Sequence, residues 1–370
     1  MKKLRFLAIP VIAIFLVALI VFIDSTMGFQ CSSDEARLKL FYNEKKDSLT
    51  TVFFGSSSVR ADWIPTIAYE ESGFTSYDYT INHMPLPAIK FMIEEVMQTQ
   101  SPELIIIDIN GITYCNREFT EKNSANFTNS IKDGENKNNA LSYLFKDYTW
   151  ENEIGFIKFH RNYHNLSLCF KFRDYYERYG TNVSILKGYT TNQTLIEPFE
   201  SESILDYKTV AERRQFNKYE QKSVEDLLDY CDKINNKTNI LFVRLPRITI
   251  ENNNDMEIEY INTFADMIAE RGYDYINNYD MIEAAGIDLM TDFCDNTHLN
   301  HFGAEKFTRY FSNYLLTKYD LKQEVNEKWN KCCEYANQYY EVIKEYTLNG
   351  VGRHCYEFNL AEKLNKFGVK

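Results

Sequence analysis

Hydrophobic and polar positions change their rhythm several times along this chain. Residues 6–23 form an uninterrupted apolar run, preceded by Lys2, Lys3 and Arg5 and followed at once by Asp24. That is long enough to span a bilayer as a helix. The basic flank belongs on the cytoplasmic side, which puts everything after Asp24 outside, and the lack of an obvious small-residue cleavage site favours a retained anchor. Residues 34–48 are charged and predict a helix bridging anchor and domain. Residues 51–54, Thr-Val-Phe-Phe, are β-branched and aromatic and break at Gly55 into three serines, a strand running into a tight turn. Helical periodicity follows over 88–97. Residues 103–109 then carry the apolar run Leu104-Ile105-Ile106-Ile107, which fits a strand buried on both faces. Downstream, 240–245 reads as a strand, 256–271 as a helix and 273–276 as a further short strand. Such alternation predicts a parallel sheet covered by helices.

The expected organisation is an anchor over 1–24, a linker helix over 25–48, and one α/β domain over 49–320. Between about 113 and 200 the pattern loosens into Asn, Lys, Tyr and Phe, which reads as an insertion over the rim of the sheet. In the last stretch, 321–370, Trp329, Cys333, Ala336 and Tyr340 recur at helical spacing and predict a helical extension packed on the domain.

Composition narrows the function classes. With 41 basic and 53 acidic residues the 370-residue chain carries a net charge of −12, so its surface repels phosphate backbones and nucleic-acid binding is disfavoured. Its 27 Tyr and 26 Phe are enough to fill a sizeable core. The 8 Cys show no C-x-x-C pair and no paired Cys/His spacing, so the sequence indicates neither a zinc site nor a cofactor. Their scattered positions favour buried or free thiols over a disulfide framework. Asn-x-Ser/Thr sequons at Asn126, Asn165, Asn182, Asn192 and Asn236 carry little weight in so Asn-rich a chain.

Two motifs carry chemistry. In Phe54-Gly55-Ser56-Ser57-Ser58, Gly55 permits a tight bend, and the segment from Val59 can offer unpaired N–H groups at a helix start. A serine there could attack a carbonyl, given a base and donors for the oxyanion; a plain serine-rich turn or helix cap would look the same. The second motif is Asp295-Asn296-Thr297-His298-Leu299-Asn300-His301-Phe302-Gly303. An aspartate three residues before a histidine on a turn can reach its ring, fix its tautomer and leave the other nitrogen free to take a proton. Asn300 is placed to cap a helix over 301–314.

Together, Gly55-Ser56-Ser57 after the first strand and Asp295-x-x-His298-Leu299-Asn300-x-x-Gly303 before the last helix resemble the SGNH/GDSL hydrolase superfamily. The resemblance covers roughly residues 49–316. It implies a flavodoxin-like three-layer α/β/α fold, with Ser57 as nucleophile and Asp295 and His298 completing a triad; Ser56 and Ser58 stay open as neighbours. Ser56 stands where the superfamily's aspartate would be, as in its cell-envelope acyl-transfer members. The other two superfamily blocks supply oxyanion donors. Here Thr80-Ile81-Asn82-His83-Met84-Pro85 lacks the glycine, and Asp108-Ile109-Asn110-Gly111 lacks the glycine before its asparagine, leaving Asn82 and Asn110 as candidates; an Asn110 that simply starts a turn with Gly111 would look the same. Anchor plus domain is similar to membrane-tethered members such as the D-alanyl transfer protein of lipoteichoic acid synthesis. That likeness implies a cell-surface glycan or teichoic acid as substrate and a membrane-bound O-acyltransferase as partner. Two expectations follow: a serine esterase or acyltransferase, and, in competition with it, a degenerate scaffold binding a glycan or such a partner.

Overall fold

A strand flanked by helices on both sides is apolar through its middle, and the central strands here are, with Thr51, Asp108, Asn239 and Arg244 confined to their ends. The computed structural model describes residues 2–27, 33–149, 184–192, 210–248, 255–348 and 354–355. In chain order the elements are α1 (Lys2–Met27), α2 (Ser33–Phe41), β1 (Thr51–Gly55), α3 (Ser57–Asp62), α4 (Pro65–Ser72), β2 (Ser76–Thr80), α5 (Leu86–Met97) and β3 (Leu104–Asp108). A 3₁₀ turn (Ile109–Tyr114) leads to α6 (Arg117–Thr128) and α7 (Glu135–Leu144). Then come α8 (Lys218–Ile234), β4 (Asn239–Arg244), α9 (Asp255–Glu270), β5 (Asp274–Asn277), a hairpin of β6 (Phe293–Asp295) and β7 (His298–Leu299), α10 (His301–Tyr319) and α11 (Glu327–Leu348). A further two-residue antiparallel ladder joins Thr191–Asn192 to His354–Cys355.

The five long strands pair in parallel in the order β2-β1-β3-β4-β5, the flavodoxin-type order. Successive side chains of a strand point to opposite faces. Val52, Phe54, Ile105, Ile107 and Phe242 accordingly enter one core, with α2, α5, α8 and α9 over it. Phe53, Leu104, Ile106, Leu241 and Val243 enter the other, under α3, α4 and α10. The result is three layers, helices on both faces of one sheet. The order reverses at β1, which has β2 on one side and β3 on the other. Ligands of doubly wound sheets bind outside the carboxyl ends of the strands at this switch point.

Several expectations changed on contact with the structure. The helix predicted over 34–48 ends at Phe41 and is not a bridge: Leu38 and Phe41 are fully buried in the first core. Its charges are paired inside. Asp34 meets Arg37 and accepts from the Asn82 N–H at 3.0 Å and the Asn126 amide at 3.1 Å. The stretch read as an insertion supplies α6 and α7, whose Phe127, Ala140 and Leu144 extend the first core; its residues 150–183 and 193–200 lie outside the described ones. In α11, Trp329 and Cys333 join the first core while Ala336, Tyr339, Tyr340 and Ile343 join the second, so the helix passes around the β2 edge. Residues 349–353 and 356–370 of the tail also lie outside the described ones.

Among the described residues no helix is long and apolar enough to cross a membrane. In α1 the described side chains are those of 9–22, about 21 Å of helix axis, and large apolar ones among them, Ile9, Phe15, Leu16 and Val21, are exposed rather than packed on the domain.

Candidate active site

Register places three predicted residues side by side. Gly55 of β1 pairs with Thr80 of β2, and Phe54 with Ile107 of β3. Ser57 and Asn82 therefore each stand two residues beyond the first aligned pair, and Ser57 and Asn110 each three beyond the second, on adjacent strands at the switch point. The bend before Ser57 depends on Gly55: a Cβ there would lie 2.3 Å from Val59 Cγ2 and 2.8 Å from Asp108 Cβ. Ser57 opens α3, and the side chain of its N-cap, Ser56, makes no cap hydrogen bond, so the N-cap itself does not occupy the first N–H groups of that helix.

The β6–β7 hairpin brings the distant motif onto this turn. Ser57 Oγ lies 2.7 Å from His298 Nε2, and His298 Nδ1 lies 2.9 Å from both carboxylate oxygens of Asp295. Asp295 can only accept, so Nδ1 carries the proton and Nε2 is left to accept from the serine. Of the three neighbouring serines, only Ser57 reaches the imidazole. Ser58 instead donates to the Thr297 carbonyl at 3.2 Å, and Ser56 is buried.

Burial works against ionisation of Asp295, but the hydrogen bonds from His298 and Thr297 outweigh it and hold the carboxyl well below the usual carboxylate range. Thr297 was not legible as a site residue. Its N–H and its hydroxyl donate to Asp295 Oδ1 at 2.7 and 2.8 Å, and its Oγ1 lies 2.8 Å from His298 Nδ1. With its own proton given to the carboxylate, that oxygen can only accept from the ring.

Three contacts fix the hairpin against the sheet. They are Ser58 to Thr297, the Leu299 N–H to Asp62 Oδ1 at 2.8 Å, and the Ile248 N–H to the Asn296 carbonyl at 2.9 Å. Asn300 caps α10, accepting from Phe302 and Gly303 N–H at 3.0 and 3.2 Å while its amide donates to the Thr291 and Phe293 carbonyls. Asp62 escaped the sequence reading because a carboxylate six positions into a helix–turn segment looks solvated. It is in fact fully buried, and burial raises its pKa well above the ordinary value. His301 has a different place from His298. It is fully buried, bonded to the Tyr189 hydroxyl at 2.9 Å, and pushed by burial down to about 3, a neutral core residue.

The two asparagines differ. Asn82 Oδ1 accepts from Arg60 Nε and Nη2 at 2.9 and 2.7 Å, which ties the β2 turn to α3. Asn110 is 1% exposed, its N–H reaches Asp108 Oδ1 at 3.3 Å, and neither side-chain atom has a partner among the described residues. Beside them His83, in the left-handed region at φ 49°, sets its ring edge-on to Tyr114 and Phe119, which stack on each other.

Neither a protein-family model nor any curated protein matches the sequence. Among solved structures, the chain is similar to an acetyl xylan esterase from the rumen bacterium Butyrivibrio proteoclasticus, at 8% identity and a TM-score of 0.30. The match covers 74% of this chain and spans only 65% of that protein's length.

Proposed function

We propose that the chain is an extracytoplasmic serine esterase or O-acyltransferase of SGNH type, acting on acyl esters of cell-surface glycans or teichoic acids. The observation that carries this reading is the continuous Ser57, His298, Asp295 hydrogen-bond chain at the switch point. Ser57 Oγ attacks the ester carbonyl while His298 Nε2 takes its proton, and Asp295 stabilises the imidazolium that forms. As the tetrahedral intermediate collapses, His298 returns the proton to the leaving alkoxide, and the acyl group remains on Ser57. Water or a sugar hydroxyl then attacks, with His298 again the base. Transfer and hydrolysis differ only in that acceptor.

Asn110 is the better of the two oxyanion candidates. A buried amide without a partner costs about 1–3 kcal/mol, and such a group persists where it serves a ligand. Its Nδ2 and the N–H of Ser57 are the donors we assign to the developing charge. The His83, Tyr114 and Phe119 rings on the same rim suit the apolar faces of a sugar. The anchor reading rests on the apolar run 6–23 with its basic flank, and the exposed side chains of α1 agree with it. The partner we assign, on the resemblance of anchor plus domain to membrane-tethered acyl-transfer proteins, is a membrane-bound O-acyltransferase.

The rival reading is a scaffold without turnover, favoured by the missing glycine over 80–85 and by the engagement of Asn82 with Arg60. Release of acetate from p-nitrophenyl acetate by purified chain separates the two. An active enzyme loses that release on His298→Ala; a scaffold gives none from the start.

A further inference from the structure

The sequence has no paired Cys/His spacing, yet the β6–β7 hairpin gathers three metal-ligating side chains at one point. Cys294 Sγ, an Asp295 carboxylate oxygen and a His298 ring nitrogen all lie within 4.8 Å of one another. Cys294 Sγ is 3.8 Å from Asp295 Oδ2, which is itself 2.9 Å from His298 Nδ1. A tetrahedral zinc ion with one sulfur, one nitrogen and one oxygen ligand needs ligand atoms about 3.3–3.6 Å apart, so changes of up to about 1.2 Å in these separations complete the set. The group opens to solvent on its Asp295 and His298 side, where the Asp295 side chain is 48% and the His298 side chain 20% exposed, while Cys294 is half-buried behind them.

We propose that Cys294, Asp295 and His298 form a binding site for a soft divalent cation, zinc above all, and that its occupancy silences Ser57. The cation takes Nδ1, because Nδ1 is the ring nitrogen on the carboxylate side and Nε2 faces Ser57. Thiolate, imidazole and carboxylate together suit zinc and disfavour magnesium. On binding, the Cys294 thiol releases one proton to solvent, and the proton on Nδ1 is exchanged for one on Nε2. The thiolate and carboxylate charges then cancel the charge of the ion. The cost falls on chemistry: with its proton on Nε2, His298 has no lone pair for the Ser57 hydroxyl. Cys294 thus has no part in the proposed acyl transfer but turns the acid-base pair into a metal trap.

The test is calorimetric titration of zinc chloride into the full chain, beside Cys294→Ser, His298→Ala and a magnesium control. Wild type is expected to bind one zinc at micromolar or tighter affinity, with binding about 10-fold or more weaker in both variants and none for magnesium. Cobalt in place of zinc gives a thiolate-to-metal band in the near ultraviolet that Cys294→Ser abolishes. Absence of zinc binding in wild type, or equal affinity in Cys294→Ser, overturns the proposal. The binding readout is independent of turnover, so zinc bound through Cys294 by a chain without esterase activity would sink the proposed function and leave the site standing. Where the chain is active, zinc inhibits wild type, chelation restores it, and Cys294→Ser stays active in zinc; inhibition of that variant at the same concentration counts against the site.

Discussion

Ser58 donates its hydroxyl to the Thr297 carbonyl at 3.2 Å, so the residue after the proposed nucleophile grips the residue before the proposed base. This contact pins the β1–α3 turn to the β6–β7 hairpin, two pieces of chain separated by most of the domain. Ser58→Ala is expected to lower stability by about 1 kcal/mol and to slow ester hydrolysis several-fold through loosened geometry, without abolishing it. Denaturant melts together with p-nitrophenyl acetate kinetics check this. A loss as deep as that of Ser57→Ala would mean that Ser58, not Ser57, is the nucleophile.

Asn110 separates stability from activity. Removing an unpaired buried amide relieves its desolvation penalty, whereas removing an oxyanion donor costs about 100- to 1,000-fold in turnover. Asn110→Ala is therefore expected to melt within about 1 kcal/mol of wild type while losing most of its turnover. A variant that unfolds easily yet turns over normally when folded would make Asn110 a turn residue only.

Gly303 sits in the first turn of α10, where Ala would ordinarily be the better helix former. A Cβ there, however, would stand 2.2 Å from the Asp292 carbonyl oxygen and 2.9 Å from Leu299 Cδ2. Backbone does not give way cheaply, so Gly303→Ala is expected to destabilise by about 1–3 kcal/mol and to lower activity by pushing the hairpin off Ser57. Equal or higher stability in a guanidinium titration would show that helix propensity outweighs the clash.

How much of this was legible depends on what each residue does. β1, β3 and β4 stand out because burial on both faces forces a continuous apolar run, and their edges were found to within one residue. The second strand of the sheet was not read at all. Ser76-Tyr-Asp-Tyr-Thr80 carries a carboxylate at its centre, and Asp78 is fully buried beside a backbone bond from its own N–H to the Lys187 carbonyl at 2.9 Å. Nothing local signals that. The charges of Asp34, Glu35 and Arg37 misled for the same reason: they look solvated and are paired inside. Ser57, Asp295 and His298 could be singled out because their spacing is local to two short motifs, and the structure brings all three within hydrogen-bond distance. Thr297, Asp62 and Cys294 act through folded contacts and leave no mark in spacing.

Asp108 gives the pH dependence its sign. Full burial pushes its carboxyl up from 3.8 to about 7, against the Asn110 N–H and the charges of Arg247 and Arg244, which pull it down. Between those two values the native state holds a proton that the unfolded chain has released. Its stabilising contribution is therefore complete below pH 4 and is lost as pH rises through about 7. Asp108→Asn removes this loss, so the variant's stability relative to wild type is expected to improve steadily from pH 4 to pH 8. Asp78, raised by burial as well, is present in both proteins and cancels, while Asp62, raised by burial and in part by the charge of Asp108, loses that push in the variant and adds to the relative gain at higher pH. A relative stability that stays flat across that range in urea titrations would refute the assignment.

The most direct measurement is covalent: the full chain is incubated with a fluorophosphonate, and the adduct is located by intact mass and peptide mapping. One phosphonyl group on Ser57 is expected, absent from Ser57→Ala and formed at least about 100-fold more slowly in His298→Ala. Wild-type protein that takes up no label, or that carries it on Ser56 or Ser58, would contradict the assignment of Ser57 as a nucleophile activated by His298.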